Sequence, residues 1–340
     1  MEALAASQTE RKPLKAPFPA FGGKSAIAGE FWRRIGTVRN YVEPFCRSCA
    51  VLLLRPAPFD GTETVNDLDG WVANFWRSLQ ADPEAVAFYA DWPVSELDLH
   101  ARGDWLFYRP EAAEWIEKLR ADPEFYDAKS AGWWVWGSCC WIGTGWGPRQ
   151  LPHLGDAGRG VNRQRPHLNG AGQGVNRQLP HLGDAGQGDE PQTSKGAALL
   201  AYLRQLAERL RGVRVCCGDW SRVCGPSPTV KNGLTAVFLD PPYSVADRAD
   251  CYDSTEDYAV AHDVREWCKE WENDRQMRIA LCGYAGEHDE LESRGWDVFA
   301  WKANGGYGSH AKEGNENCKR ERIWFSPHCL KPEKERMLFA

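Results

Sequence analysis

The sequence predicts an α/β protein built on a doubly wound, mostly parallel sheet. Three observations lead there. Apolar strand-like runs alternate with amphipathic helical stretches over residues 18–80, the pattern of a sheet covered by helices. The alternation stops over 81–211 and resumes over 212–330. Acidic residues recur just past the apolar runs, at the carboxyl ends of strands, where open parallel sheets bind their ligands.

The elements follow in order. FPAFGGKSAIAGEFWRRI, from Phe18, reads as a glycine turn opening an amphipathic helix. NYVEPF, from Asn40, is a strand leaving a loop, and SCAVLLLR is the helix after it. ETVNDLDG, from Glu63, is a second strand end, followed by the helix WVANFWRSLQ. Asp82-Pro83 and Arg109-Pro110 start two more helices, with proline at the first helical position, where a missing N–H costs nothing. TSKGAALLAYLRQLAERLRG is a long helix with Thr193 or Ser194 as N-cap and Gly212 just past its end. VRVCC, TAVFL and MRIALCGY then read as strands, AVAHDVREWCKEW and GEHDELESRG as helices. DVFAWKA and RERIWFS are the last two strands, joined by the glycine-rich loop NGGYGSHAKEGNENCK.

Residues 18–80 and 212–330 therefore make one discontinuous domain. Residues 81–211 are an inserted region, and 1–17 and 331–340 read as flexible tails. The insert holds GWWVWGSCCWIGTGWG, with five of the chain's 17 Trp, which reads as a local aromatic core. It also holds a 14-residue repeat over 149–188: RQLPHLGDAGRGVN from Arg149, RQRPHLNGAGQGVN from Arg163 and RQLPHLGDAGQG from Arg177. Units this short and glycine-rich bury no core alone. They carry five Arg and three His against two Asp, in a chain of 340 residues with net charge −6. That balance excludes general coating of nucleic acid but leaves room for a local basic patch. Used for recognition, Arg149, Arg163 and Arg177 would meet phosphates or guanine edges; the other reading is a spacer of variable copy number.

Other classes are excluded. The 12 Cys include Cys46 and Cys49 in CxxC spacing, but no second pair or His pair follows at finger spacing, so no structural metal is expected. No apolar run reaches membrane-spanning or signal-peptide length, and a cytoplasmic, reduced protein is expected. No GxxxxGK[ST] loop is present, which argues against a nucleoside triphosphate site. Glu43, Asp67, Asp219 and Asp240 follow four strands. Carboxylates only accept hydrogen bonds, so they suit ribose hydroxyls and amino groups better than phosphates. Any one of them could instead cap a helix.

The segment FLDPPYS joins an acid, two prolines and an aromatic ring at the end of a buried strand. FGGK at 21–24, EPF at 43–45, NDLD at 66–69, CGDW at 217–220 and DPPY at 240–243 occur in that order. In this the chain resembles the Dam-like, alpha-class DNA adenine methyltransferases, in a phage or prophage-type branch, over roughly residues 18–80 and 212–327. The resemblance implies a Rossmann-like S-adenosylmethionine-dependent methyltransferase fold with an inserted target-recognition region. Phe21, Gly22, Gly23 and Lys24 would line the methionine end of S-adenosylmethionine. Glu43, Pro44 and Phe45 would cradle the cofactor, Asp67 would accept from its ribose, and Asp219 and Trp220 would hold its adenine. Asp240, bordering the cofactor, would with Pro241, Pro242 and Tyr243 hold a base flipped out of double-stranded DNA. The implied setting is the cytoplasm of a bacterial or phage-infected host, with a separate restriction endonuclease left open as a partner.

One position departs from the family pattern EPFxG: EPFCRSC places Arg47 where glycine is expected. Arg47 crowds the cofactor, points outward, or pairs with the cofactor carboxylate. Four readings stay open: an adenine enzyme, a cytosine amino-methyltransferase, an RNA base methyltransferase, or a chain that binds cofactor and DNA without turnover.

Overall fold

The computed structural model describes residues 14–20, 23–57, 61–141, 146, 195–243, 254–302 and 319–331. Among them, seven strands form one sheet: β1 Asn40–Glu43, β2 Thr62–Asp67, β3 Val213–Cys217, β4 Thr235–Leu239, β5 Met277–Tyr284, β6 Asp297–Ala300 and β7 Glu321–Phe325. Their order is β3-β2-β1-β4-β5-β7-β6. β1 pairs in parallel with β2 and β4, β2 with β3, and β4 with β5, while β7 runs antiparallel to both β5 and β6. The chain is thus mixed α/β with a mainly parallel sheet, compatible with a Rossmann-like arrangement. Strand order reverses at β1, where such sheets open a ligand crevice.

The strands are sequences with two buried faces. All five residues of β4, TAVFL, are buried, as a central parallel strand requires. Alternate side chains divide between two cores. Tyr41, Ala236, Phe238 and Ile323 join one; Val42, Val237, Leu239 and Trp324 join the other. The helix α9 (Ser254–Trp271) covers the second face through Val264 and Cys268.

The first face carries α1 (Ala28–Ile35), α3 (Gly70–Ala81) and α8 (Lys195–Leu210). Against α3 and α8 pack helices of the insert, α4 (Pro83–Ala90), α6 (Ala112–Ala121) and α7 (Ala128–Cys140), with α5 (Glu96–Phe107) on α7. α7 carries the tryptophan segment. Trp134 meets Phe18 edge-on at 5.0 Å and Phe75 of α3 at 5.9 Å, so this aromatic core is continuous with that beneath the sheet. Pro83 occupies the first turn of α4, capped by Asp82. Pro110 instead lies in a turn, and α6 starts two residues later.

Three elements differ from the sequence reading. The helix from SCAVLLLR, α2, spans only Ala50–Leu53; Pro56 restricts Arg55 and ends it early. GEHDELESRG folds as a 3-10 turn at Asp289–Arg294 rather than an α-helix. α5, capped by Ser95, was not anticipated. At the amino end, the backbone of Lys15 exchanges two hydrogen bonds with the Tyr202 hydroxyl, and Phe18 is buried. The three repeats, with Arg149, Arg163 and Arg177, lie outside the described residues, as does most of the glycine-rich loop. No described helix is long and apolar enough to cross a membrane.

Candidate active site

Parallel pairing brings the carboxyl ends of β1 to β5 to one edge of the sheet. β7 runs the other way, so its first residue, Glu321, pairs with Tyr284, the last of β5, at that same edge. Glu43, Asp67, Asp219 and Asp240 therefore share an edge with an acid that the sequence reading had not singled out.

At the β4 end, four side chains form a closed network. Lys24 sits in a 3-10 turn (Lys24–Ala26) before α1 and is 5% exposed. Its Nζ lies 3.1 Å from Asp240 Oδ2 and 3.9 Å from Glu321 Oε2. Burial pushes the ammonium towards the neutral form, but the two carboxylates more than offset this, and its pKa is raised. The Tyr243 hydroxyl lies 3.1 Å from Asp240 Oδ1 and 2.9 Å from Glu321 Oε2. It has one proton and can donate to one of them. Burial raises the pKa of Glu321 against the pull of Lys24, with Asp240 raising it further. Tyr243 thus bridges the two acids that flank Lys24. The Tyr243 ring packs edge-on against Tyr284, centroids 4.7 Å apart. Pro241 is buried and Pro242 half-buried, making a stiff turn.

The β1 and β2 ends are joined by the loop that carries Arg47. Arg47 has φ +29° and Cys49 φ +51°, both left-handed. Arg47 thus takes on the bend that glycine would adopt freely. Its N–H donates to Asp67 Oδ2 at 2.8 Å, and its carbonyl accepts from Trp76 Nε1 at 2.8 Å. The side chain is 36% exposed, with Nη1 3.9 Å from Asp69 Oδ2. Asp67 also accepts from Asp69 N at 2.9 Å, and Asp69 caps α3. Burial lifts Asp67 to a pKa of about 6, and the neighbouring Asp69 adds to the rise. Arg47→Gly is expected to stabilise the chain by about 1 kcal/mol, because a left-handed non-glycine residue costs about 1–2 kcal/mol and the long Asp69 contact is worth well under 1 kcal/mol. A urea midpoint equal to or below wild type would contradict this.

Asn66 binds three motifs together. Its Nδ2 donates to the Pro44 carbonyl at 3.0 Å and to the Gly218 carbonyl at 2.9 Å, so the ends of β1, β2 and β3 are locked in register. Gly218 has φ +143°, a bend that side-chain-bearing residues rarely adopt, so glycine suits the position. Asp219 is exposed and caps the turn after it by accepting from Ser221 N at 2.9 Å. Phe45 and Trp220 face each other, centroids 6.3 Å apart and planes 28° from parallel. Glu43 is different: it is 3% exposed and accepts from the Tyr41 hydroxyl at 2.9 Å. Burial raises its pKa to about 8, so it is largely neutral at pH 7. Its carboxyl braces the end of β1 from inside.

Gly23 precedes the Lys24 turn with φ −50°; Phe21 and Gly22 lie outside the described residues. The residues missed from sequence are Glu321 and Asn66. Glu321 breaks the apolar face of RERIWFS, and that was the signal for it. Comparison with protein-family models finds no match, and comparison with curated proteins finds none.

Proposed function

We propose that the chain is an S-adenosylmethionine-dependent DNA methyltransferase acting on the exocyclic amino group of adenine. The observation that carries this reading is the convergence of separated motifs on one sheet edge. Lys24 meets Asp240 at 3.1 Å, and Asn66 ties Pro44 to Gly218. The mainly parallel sheet and its crevice at β1 are compatible with the fold that the motifs imply.

The donor set fits the cofactor. Asp67, whose oxygens each keep a lone pair beyond the two backbone bonds, would accept from ribose hydroxyls. The near-parallel rings of Phe45 and Trp220 would grip a flat base, and the exposed Asp219 would accept from its amino group. S-adenosylmethionine supplies a methyl group on a positively charged sulfur. Asp240 and the Pro241 carbonyl accept hydrogen bonds from the target amino group, which aims the nitrogen lone pair at that methyl. Tyr243 offers its ring to the flipped base. Lys24, 3.1 Å away, holds the Asp240 carboxyl in place. The N–C bond forms as the S–C bond breaks, and the nitrogen's proton leaves to Asp240 or to water. Positioning supplies much of the rate. The left-handed Arg47 keeps the bend of the cofactor loop, which supports an active rather than a binding-only chain.

Cofactor binding should depend on pH through Asp67. A carboxyl with a pKa of about 6 is protonated below that pH and then cannot accept from two hydroxyls. Affinity should rise about tenfold per unit towards pH 6 and level off above it. Asp67→Asn should flatten the profile and weaken binding roughly 10–100-fold, the worth of hydrogen bonds to a charged group. Calorimetry between pH 5 and 7 tests this. A profile unchanged by Asp67→Asn would remove Asp67 from the site.

A further inference from the structure

We infer that the helical insert carries a second site, an aromatic pocket that takes an unpaired nucleobase of a nucleic-acid strand. A cavity of about 380 Å³ opens between α4, α5 and α7, lined by Phe88, Trp92, Asp98, Arg102, Trp105 and Trp133 among others. That volume lies in the range of small-ligand sites.

Arg102 makes the pocket more than an apolar hollow. It is 7% exposed, and its guanidinium lies 4.9, 5.1 and 4.4 Å from the ring centres of Trp92, Trp133 and Trp136. Among the described residues, its Nη1 has no hydrogen-bond partner. Burying such a donor unpaired is costly, and Arg102 is also one of the residues that line the cavity. Asp98 lies one helical turn before Arg102 and lines the same cavity, accepting from Trp92 Nε1 at 3.1 Å. At the mouth, Phe88 is 70% exposed and Trp92 45% exposed, an unusual outlay of aromatic surface.

These features select the ligand's chemistry. A cation is disfavoured because Arg102 already places a positive charge among the rings. A bare phosphate is disfavoured because Asp98 offsets the one buried charge and the walls are rings. A neutral, flat molecule with an acceptor for Arg102 and an amino group for Asp98 fits both, and nucleobases have that edge pattern. Base–aromatic stacking is the usual holding force for unpaired strands. A strand is favoured over a free nucleotide by two further cations beside the site. Arg109 lies 4.1 Å from the Trp105 ring centre, and Lys129 lies 4.5 Å from the centres of Trp105 and Trp133. They are placed to meet flanking phosphates. The site does not depend on methyl transfer and is tested without it.

The test titrates the full chain, without cofactor, with deoxyguanosine monophosphate, deoxyribose 5-phosphate and a short single-stranded oligonucleotide, reading tryptophan fluorescence. The nucleotide should bind and quench, and the base-free sugar phosphate should not. The oligonucleotide should bind at least tenfold more tightly than the nucleotide. Phe88→Ala, at an exposed position, and Arg102→Gln should each weaken nucleotide binding at least tenfold with the helical circular dichroism retained. Equal binding of the sugar phosphate, or affinity unaffected by Phe88→Ala, would overturn the pocket. Equal affinity for nucleotide and oligonucleotide would overturn the strand.

Discussion

Lys24→Met should destabilise the chain by about 3 kcal/mol, the range for breaking a buried ion pair by removing one partner. The side chain is 6% exposed, with Asp240 and Glu321 within 4 Å of its Nζ. Without the ammonium, two carboxyl groups and the Tyr243 hydroxyl compete for too few protons in a buried space. Asp240 is 23% exposed and regains some hydration, which keeps the loss at the lower end of that range. A rescue is also expected. In the double variant Lys24→Met with Glu321→Gln, the second acid is neutral and its amide donates to Tyr243, so a large part of the loss should return. Urea midpoints of the three proteins measure both effects. A single variant within 0.5 kcal/mol of wild type would mean that Lys24 holds nothing together.

Asp240→Ala should lower methyl transfer roughly 1000-fold, within the span attributed to a positioned acceptor of a proton. Under the proposed function the methyl donor is already activated, so the chain would chiefly aim the nitrogen and accept its hydrogens. Removing Asp240 deletes one of the two acceptors and frees Tyr243 to donate elsewhere. Lys24 keeps Glu321 as a partner, 3.9 Å away, so the fold should survive. Cofactor affinity should stay within about tenfold, because Asp67 and the pair Phe45 and Trp220 lie at other strand ends. Loss of transfer together with loss of cofactor binding would mark Asp240 as a structural residue.

What could be read from the sequence was whatever depends on short spacing. TAVFL followed by DPPY announces a buried strand and a stiff turn, and both are present. The run of Asp67, Leu68, Asp69 signals a strand end and a helix cap, because Asp69 needs only its neighbours to cap α3. Lys24 could be placed in its turn, but its partners could not. Glu321 reaches Lys24 only because β7 inserts antiparallel between β5 and β6, a pairing that no local pattern encodes. Asn66 looks like one more polar residue at a strand end; its bridge from Pro44 to Gly218 exists only once β1, β2 and β3 are side by side. Arg47 shows the reverse: the sequence marks a missing glycine, yet the backbone takes the left-handed bend regardless, held by Asp67 and Trp76. α5 escaped notice because Gly103 and charged residues interrupt its apolar face, and its burial comes from packing on α7.

The most direct test of the central claim is to incubate mixed-sequence duplex DNA with the chain and S-adenosylmethionine, and to identify the product by nucleoside mass spectrometry. The expected product is deoxyadenosine methylated on its exocyclic nitrogen, absent when Asp240→Ala replaces the wild-type chain. Methylated cytosine, or no methylated nucleoside while cofactor binds, would contradict it.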